Sequence, residues 1–439
     1  MMQYLPNLFF ALALIAGIGF FVMNIRKLSR NINLGKDVNR TDKKPERLKN
    51  MIKIALGQSK MVKRPFSGFL HIVVYVGFII INIEVLEIII DGLFGTHRIF
   101  LGFLGDGIYG FLIGTFEILA VLVLITVVIF WLRRNASTIK RFLSKEMVGW
   151  PKKDGNMILY FEIILMSLFL VMNATDTAFQ TAGVGNTISQ FVAPLFDGFS
   201  PEALHTIERT CWWIHILGIL VFLNYLYYSK HLHILLAFPN TYFANLNPKG
   251  QFTNLDSVTA EVKLMMDPDA DPYATPDEGA EETIPEKFGA SDVTDLNWVQ
   301  LLNAYTCTEC GRCTSSCPAN LTGKELSPRK IMMDTRDRLE EVGRNIDANK
   351  GVFVDDGKQL LNDYISPEEL WACTSCNACV EECPVNIDPL SIIMDMRRYL
   401  VMEESAAPQE LNMMMTNIEN NGAPWQYNQQ DRLNWANEE

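Results

Sequence analysis

Eight of the nine cysteines fall into two runs of one spacing, Cys-x2-Cys-x2-Cys-x3-Cys-Pro. The first is Cys307, Cys310, Cys313 and Cys317 before Pro318; the second is Cys373, Cys376, Cys379 and Cys383 before Pro384. Such runs suit [4Fe-4S] cubes, where three cysteines of a run wrap one cluster and the fourth ligates the other. One cluster is therefore expected on Cys307, Cys310, Cys313 and Cys383, and a second on Cys373, Cys376, Cys379 and Cys317. Zinc would ask for two short ligand pairs, and a disulfide framework does not produce the Cys-Pro ending twice. Thiolate clusters also point to a reducing compartment, where disulfides are rare. Cys211 is left over among apolar residues and reads as a small buried hydrophobe without a role.

The histidines carry a second redox signal. A b-type haem takes two axial ligands, usually imidazoles on facing membrane helices. His215 and His233 are 18 residues apart in the last apolar stretch. In one continuous helix that is about five turns, so both would face the same way, about 27 Å apart. His71 enters the second apolar stretch at a depth matching His233, and His71/His233 is the expected inner haem b site. His231 would lie about 160° round the helix from His215 and is the poorer ligand. An outer haem would use His215 with His97, because the positions facing His215 are Ile81 and Asn82. His205 falls at the outer surface and receives no ligand role. Glu84, Glu87, Glu117 and Glu162 lie inside apolar stretches, where carboxylates are costly and tend to face an interior or a water path. Glu84 and Glu87 are candidates for taking protons from a quinol, with hydrogen bonding to a neighbouring helix as the plain alternative. No nucleophile, phosphate loop or acid–base pair for a soluble substrate is visible. No catalytic side chain is assigned, and the chemistry is expected to lie in cofactors.

These groups must be positioned by two unlike halves. Five apolar stretches, roughly Tyr4–Met23, Phe66–Ile90, Ile108–Leu132, Met157–Met172 and Thr210–Ala237, precede residue 240, and almost none follow. Most approach or exceed the ~20 residues that cross a bilayer as a helix. The fourth is short and should extend past Asn173, and Pro239 should end the fifth. The first lacks the basic start of a signal peptide and reads as a retained helix. The loop from Arg26 to Arg64 holds 13 Lys/Arg and that from Arg133 to Lys153 holds 7, whereas 91–107 and 173–208 hold Arg98 alone. The positive-inside rule then puts the N-terminus outside and the clusters in the cytoplasm. The basic loops are read as topology, not as a nucleic-acid surface. Residues 267–286 carry eight Asp/Glu and four prolines, an acidic exposed linker. Leu326–Arg344 and Ser366–Trp371 have helical composition, with Ser366 and Glu369 as a capping box. The expected fold is all-α: a five-helix transmembrane cytochrome b-like bundle (1–240), a linker (241–293), an α-helical dicluster ferredoxin domain (294–400) and a tail (401–439).

Two resemblances sharpen this. Leu70-His71-Ile72, His215 and Ser229-Lys230-His231-Leu232-His233 resemble the five-helix, N-out cytochrome b subunit of respiratory nitrate reductase. That family usually carries two histidines ten apart on its second helix, and this chain has Ile81 at the second of those positions. Residues 288–435 are similar to membrane iron–sulfur oxidoreductases of the heterodisulfide-reductase type. The stretches that carry this are Cys307-Thr-Glu-Cys-Gly-Arg-Cys313, Thr322-Gly-Lys-Glu-Leu-Ser-Pro328, Leu370-Trp-Ala-Cys373, Arg397-Arg-Tyr-Leu-Val-Met402 and Asn420-Asn-Gly-Ala-Pro-Trp425. Full-length relatives continue into a Cys-Cys-Gly domain that these 439 residues lack. The resemblance therefore implies a separate Cys-Cys-Gly iron–sulfur subunit as partner.

The expected function is electron transfer in the inner membrane between a cytoplasmic donor and menaquinone or another quinone. The donor class implied by the resemblance includes electron-transfer flavoprotein. A quinol-driven wire for a disulfide or sulfur-compound reductase is the first alternative, and a structural membrane anchor for an iron–sulfur complex is the second.

Overall fold

The structure is a computed structural model that describes residues 4–269 and 287–437. It is mostly helical, and among the described residues there is no strand beyond two isolated bridges, Lys36 with Asn297 and Leu361 with Ile365. Among the described residues, five helices are long and apolar enough to cross a membrane. They are α1 (Leu5–Ile32), α2 (Pro65–Phe94), α3 (Ile99–Asn135), α4 (Trp150–Thr175) and α5 (Pro201–Tyr225). Neighbours in sequence pack together from α2 to α5, and α1 closes the bundle against α2 and α5. With no hydrophobic drive between helices in lipid, close approach depends on small residues. A Cβ on Gly77 of α2 would meet Val123 of α3 at 2.5 Å, and one on Gly92 would meet the Phe10 ring of α1 at 2.7 Å. Leu8, Phe9, Leu12 and Ile15 stay exposed on α1, as suits a lipid-facing surface.

The helices α1, α3 and α5 outrun their apolar stretches, ending at Ile32 and starting at Ile99 and Pro201, and the last two spans depart further from expectation. Helix α4 gains length at its start, from Trp150, and passes Asn173 only to Thr175. The fifth span does not run through to position 237. After a short 3-10 turn the chain is extended at Ser229 (φ −114°, ψ 145°), where the Ser229 hydroxyl accepts from the His231 N–H at 3.1 Å. A serine in extended backbone starts a helix rather than continuing one. Chain direction resets there, and α6 (His233–Tyr242) contains Pro239 instead of ending at it. The helical phase linking His215 to His233 is therefore broken.

Beyond α6, helix α7 (Asp256–Met266) buries none of its residues. Most of the acidic linker, 270–286, lies outside the described residues. The cysteine-rich part is built on α8 (Trp298–Thr306), α9 (Pro328–Ala348) and α10 (Pro389–Met402), with the two motifs in short helical turns between them. Ser366 and Glu369 form the expected capping box, with Glu369 N–H on Ser366 Oγ at 3.2 Å and Ser366 N–H on Glu369 Oε2 at 3.0 Å. The core of this part is continuous with Leu28, Ile158 and Phe222 of the membrane helices and with Leu232 just beyond the break at Ser229.

The basic loops also dock the cysteine-rich part. Lys63 pairs with Glu381 at 2.7 Å and Arg64 with Glu382 at 3.2 Å. Arg30 pairs with Asp347, and Arg329 with Glu146 at 2.7 Å. The cysteine motifs thus sit on the side of the bundle that carries the Lys/Arg-rich loops.

Candidate functional site

Each motif is a loop that must curl round a centre, and the backbone shows how it does so. Glu309 (φ +53°) and Gly311 (φ +69°) flank Cys310; Ser375 (φ +58°) and Asn377 (φ +59°) flank Cys376. The left-handed residues recur at matching positions, so the 66-residue sequence repeat is also a backbone repeat. Such conformations are uncommon for residues other than glycine and persist where surroundings enforce them. Backbone N–H groups approach the sulfurs: Ser375 N to Cys373 Sγ at 3.4 Å, and Ile387 N to Cys383 Sγ at 3.3 Å.

Between the motifs, the short helices Arg312–Ser315 and Ala378–Glu382 pack together. This brings Cys383 into the electrostatic neighbourhood of Cys310 and Cys313, and Cys317 into that of Cys373 and Cys379. Burial pushes the Cys307 thiol up to about 12 and the Cys383 thiol up to about 11. Crowded, desolvated thiols ionise only when a cation compensates them, which is the condition a cluster meets. All nine cysteines are free of disulfides. Among the described residues, no three His, Cys, Asp or Glu side chains stand close enough to share one metal ion. Eight thiols in two four-cysteine runs fit two four-iron clusters.

The histidines gather where the chain breaks. His71, His231 and His233 lie close enough to influence one another's charge, and Arg312 of the first cysteine motif joins them. The His231 and His233 rings stand 5.4 Å apart at 82°, and His231 also packs on Phe222 at 5.5 Å. Burial pushes His231 down to about 3 and lowers His233, so both are neutral imidazoles, the form that ligates a metal. The Nδ1 of His233 lies 3.0 Å from the Lys230 carbonyl, which leaves Nε2 for a ligand. The buried His71 Nδ1 has no hydrogen-bond partner. This orphaned nitrogen beside His233 fits a haem, with His71 and His233 as the residues that would hold it. His231 shares the site although sequence phase had set it apart.

The other candidates lie elsewhere. His215 is buried on α5 with Nδ1 3.0 Å from the Leu165 carbonyl. His97 stands 3.2 Å from Asp176 through Nε2. His205 is exposed near Glu208, and Ile81 and Cys211 are buried in the apolar core of the bundle. At this end Arg98 bonds Asp176 at 2.9 Å and Asn173 at 3.0 Å, and Asn173 donates to Glu117 at 3.0 Å. Glu117 also accepts from the N–H groups of Ile188 (2.7 Å) and Ser189 (3.0 Å), so its role is structural. Glu87 accepts from Phe100 N–H (2.8 Å) and Tyr109 (3.1 Å). Glu84 is as buried as Glu87, each 4% exposed, but differs in that its Oε2 has no partner. It lines a cavity of about 30 Å³ with Glu87, Asp91 and Glu208.

The profile of the 4Fe-4S dicluster domain matches residues 306–387. The chain is 29% identical over 95% of its length to the probable iron-sulfur-binding oxidoreductase FadF of Bacillus subtilis. It is 26% identical over 92% of its length to the EtfAB:quinone oxidoreductase of Syntrophomonas wolfei. It spans 59% of the first and 55% of the second. Over 25% of its length it is 33% identical to 53% of a ferredoxin/F(420)H(2)-dependent CoB-CoM heterodisulfide reductase subunit from Methanosarcina acetivorans. No solved structure matches. Residues 306–387, which hold both cysteine motifs, thus match a 4Fe-4S dicluster domain, in a chain whose relatives are iron–sulfur oxidoreductases.

Proposed function

We propose that the chain is a membrane-bound electron-transfer subunit linking a cytoplasmic donor to menaquinone or another quinone. One observation carries this: the first cysteine motif meets the histidine segment through the Glu309–Lys230 ion pair, and the Lys230 carbonyl faces His233 Nδ1 at 3.0 Å, while Cys376 of the second motif is exposed. The sites are two [4Fe-4S] clusters, one on Cys307, Cys310, Cys313 and Cys383 and one on Cys373, Cys376, Cys379 and Cys317, and a haem b at His71/His233. An outer haem would be held by His215 and His97. When bound, these groups supply one-electron carriage. The protein holds them, aims N–H groups at the sulfurs and presents the second motif to a partner. Glu84, buried and with its Oε2 unpartnered, is the candidate proton acceptor from quinol. The domain limits are those given above, in an inner membrane with the N-terminus outside; the basic loops beside the clusters support that orientation.

The similarity to an EtfAB:quinone oxidoreductase supports an electron-transfer flavoprotein as the donor, directly or through a Cys-Cys-Gly subunit. A quinol-driven wire of a heterodisulfide-reductase-type complex is the second reading, favoured by the similarity to a component of such an enzyme. Capture of the full chain from native membranes, followed by identification of co-purifying subunits and assay with quinone analogues, separates the two. A flavoprotein partner supports the first and a thiol or sulfur enzyme the second. A haem-free protein with redox-silent clusters would leave only a structural anchor.

Cluster stoichiometry should be about eight irons per chain, four in each cube. Cys317→Ser should disturb the cluster held by Cys373, Cys376 and Cys379, read by EPR of the reduced protein. Disturbance confined to the other cluster would refute the crossed ligation.

A further inference from the structure

A buried ion pair joins the first cysteine motif to the histidine site through one residue. The Lys230 side chain, 9% exposed, pairs with Glu309, 2% exposed, which lies between Cys307 and Cys310. The same Lys230 presents its backbone carbonyl to His233 Nδ1 at 3.0 Å. Its position is over-determined: its N–H donates to Asp154 Oδ2 at 3.1 Å and its ammonium to the Pro151 carbonyl at 2.7 Å. Asp154 is held by the Tyr225 hydroxyl at 2.6 Å, and Glu309 by Arg336 at 2.8 Å. Among these residues, only Lys230 touches both the motif and the histidine.

We propose that Lys230 and Glu309 are a positioning pair that fixes His233 against the first cysteine motif and makes that motif's cluster the one coupled to the membrane site. The inference rests on the haem reading above. Glu309 holds the left-handed conformation that shapes the loop at Cys310, so its carboxylate is tied to loop geometry. A buried anion beside a cluster disfavours its reduced, more negative state, so Glu309 also holds that cluster's potential down. The Lys230 ammonium offsets part of this and keeps its own carbonyl on His233. The pair orders the sites: the second motif outboard, the first inboard, then the histidines.

The test uses the full chain in detergent, with Glu309→Gln, Glu309→Asp, Lys230→Met and, as a control, Arg30→Gln. The control removes another tie between the same two parts, to Asp347, away from both motifs. Redox titrations would follow the haem band and the EPR signal of each cluster, and stopped flow would follow cluster-to-haem electron transfer. Glu309→Gln should raise the first cluster's equilibrium toward reduction by about tenfold, about 59 mV for one electron, and leave the second unmoved. Lys230→Met should alter the haem's low-spin EPR signature and slow cluster-to-haem transfer at least tenfold. Glu309→Asp should restore part of the wild-type potential, and Arg30→Gln should change none of these. Haem present with unmoved potentials and rates in both variants would overturn this inference alone. A wild-type protein without haem would overturn the haem reading and this inference with it.

Discussion

His71→Ala and His233→Ala should each strip the b-type haem from the purified protein, whereas His231→Ala should retain it. A bis-imidazole site fails when either ligand is lost, because the other histidine then holds the iron alone in a partly apolar pocket. The structure favours His233 over its neighbour because the Lys230 carbonyl fixes its Nδ1 and leaves Nε2 for iron. His231 instead packs on Phe222 and stands edge-on to the His233 ring, as a wall of the site. Pyridine haemochrome spectra of the three variants decide it. Haem at wild-type level in His71→Ala or His233→Ala would remove these residues as ligands.

Arg329→Met should undock the cysteine-rich part from the loop after α3. The guanidinium is fully buried, gives Glu146 Oε1 bonds of 2.7 and 3.2 Å, and donates to the Arg141 carbonyl at 2.7 Å. Removing one partner of a buried pair costs about 3–5 kcal/mol, because the other is left desolvated. Hydrogen exchange should show that loss as faster opening of 139–148 and the start of α9. Burial alone would raise the Glu146 carboxyl, but the hydrogen bond and charge of Arg329 outweigh it and hold the group below its usual 4.5. A carboxyl with a lowered native value stabilises fully above its unfolded value, and that contribution is lost as pH falls through the native value. Acid should therefore weaken docking in the native protein and have little such effect in Arg329→Met. Equal acid sensitivity in both would contradict the assignment.

How much of this could be read in the sequence varies by signal. The five spans were legible because lipid demands long apolar runs, and the cysteine motifs because iron fixes their spacing. The capping box at Ser366 was legible for the same local reason. The break at Ser229 was missed because apolar composition runs across it. The one available signal was a serine followed by Lys230 and two histidines, a helix start inside an apolar stretch. Without that break, helical phase placed His231 away from His215 and ranked it the poorer ligand, whereas its ring stands against that of His233. The Lys230–Glu309 pair was not legible, since its partners lie 79 residues apart and meet only through the fold. Nor could sequence separate Glu87 from Glu84: both are carboxylates on one membrane helix, and only the hydrogen bonds show Glu87 accepting from Phe100 and Tyr109 while Glu84 Oε2 has no partner. The docking role of the basic loops had a faint trace in Glu381 and Glu382, which match Lys63 and Arg64 in charge.

The central claim is that electrons pass between the cysteine motifs and a membrane quinone through the histidine site. The most direct measurement is rapid mixing of the fully reduced, purified full chain with a water-soluble menaquinone analogue, followed by haem absorbance and freeze-quenched EPR of both clusters. Oxidation of the haem first, then of both clusters, with His71→Ala leaving the clusters reduced on the same timescale, is the predicted result. Clusters that oxidise as fast in His71→Ala as in the wild type, or that stay reduced in both, would contradict the account.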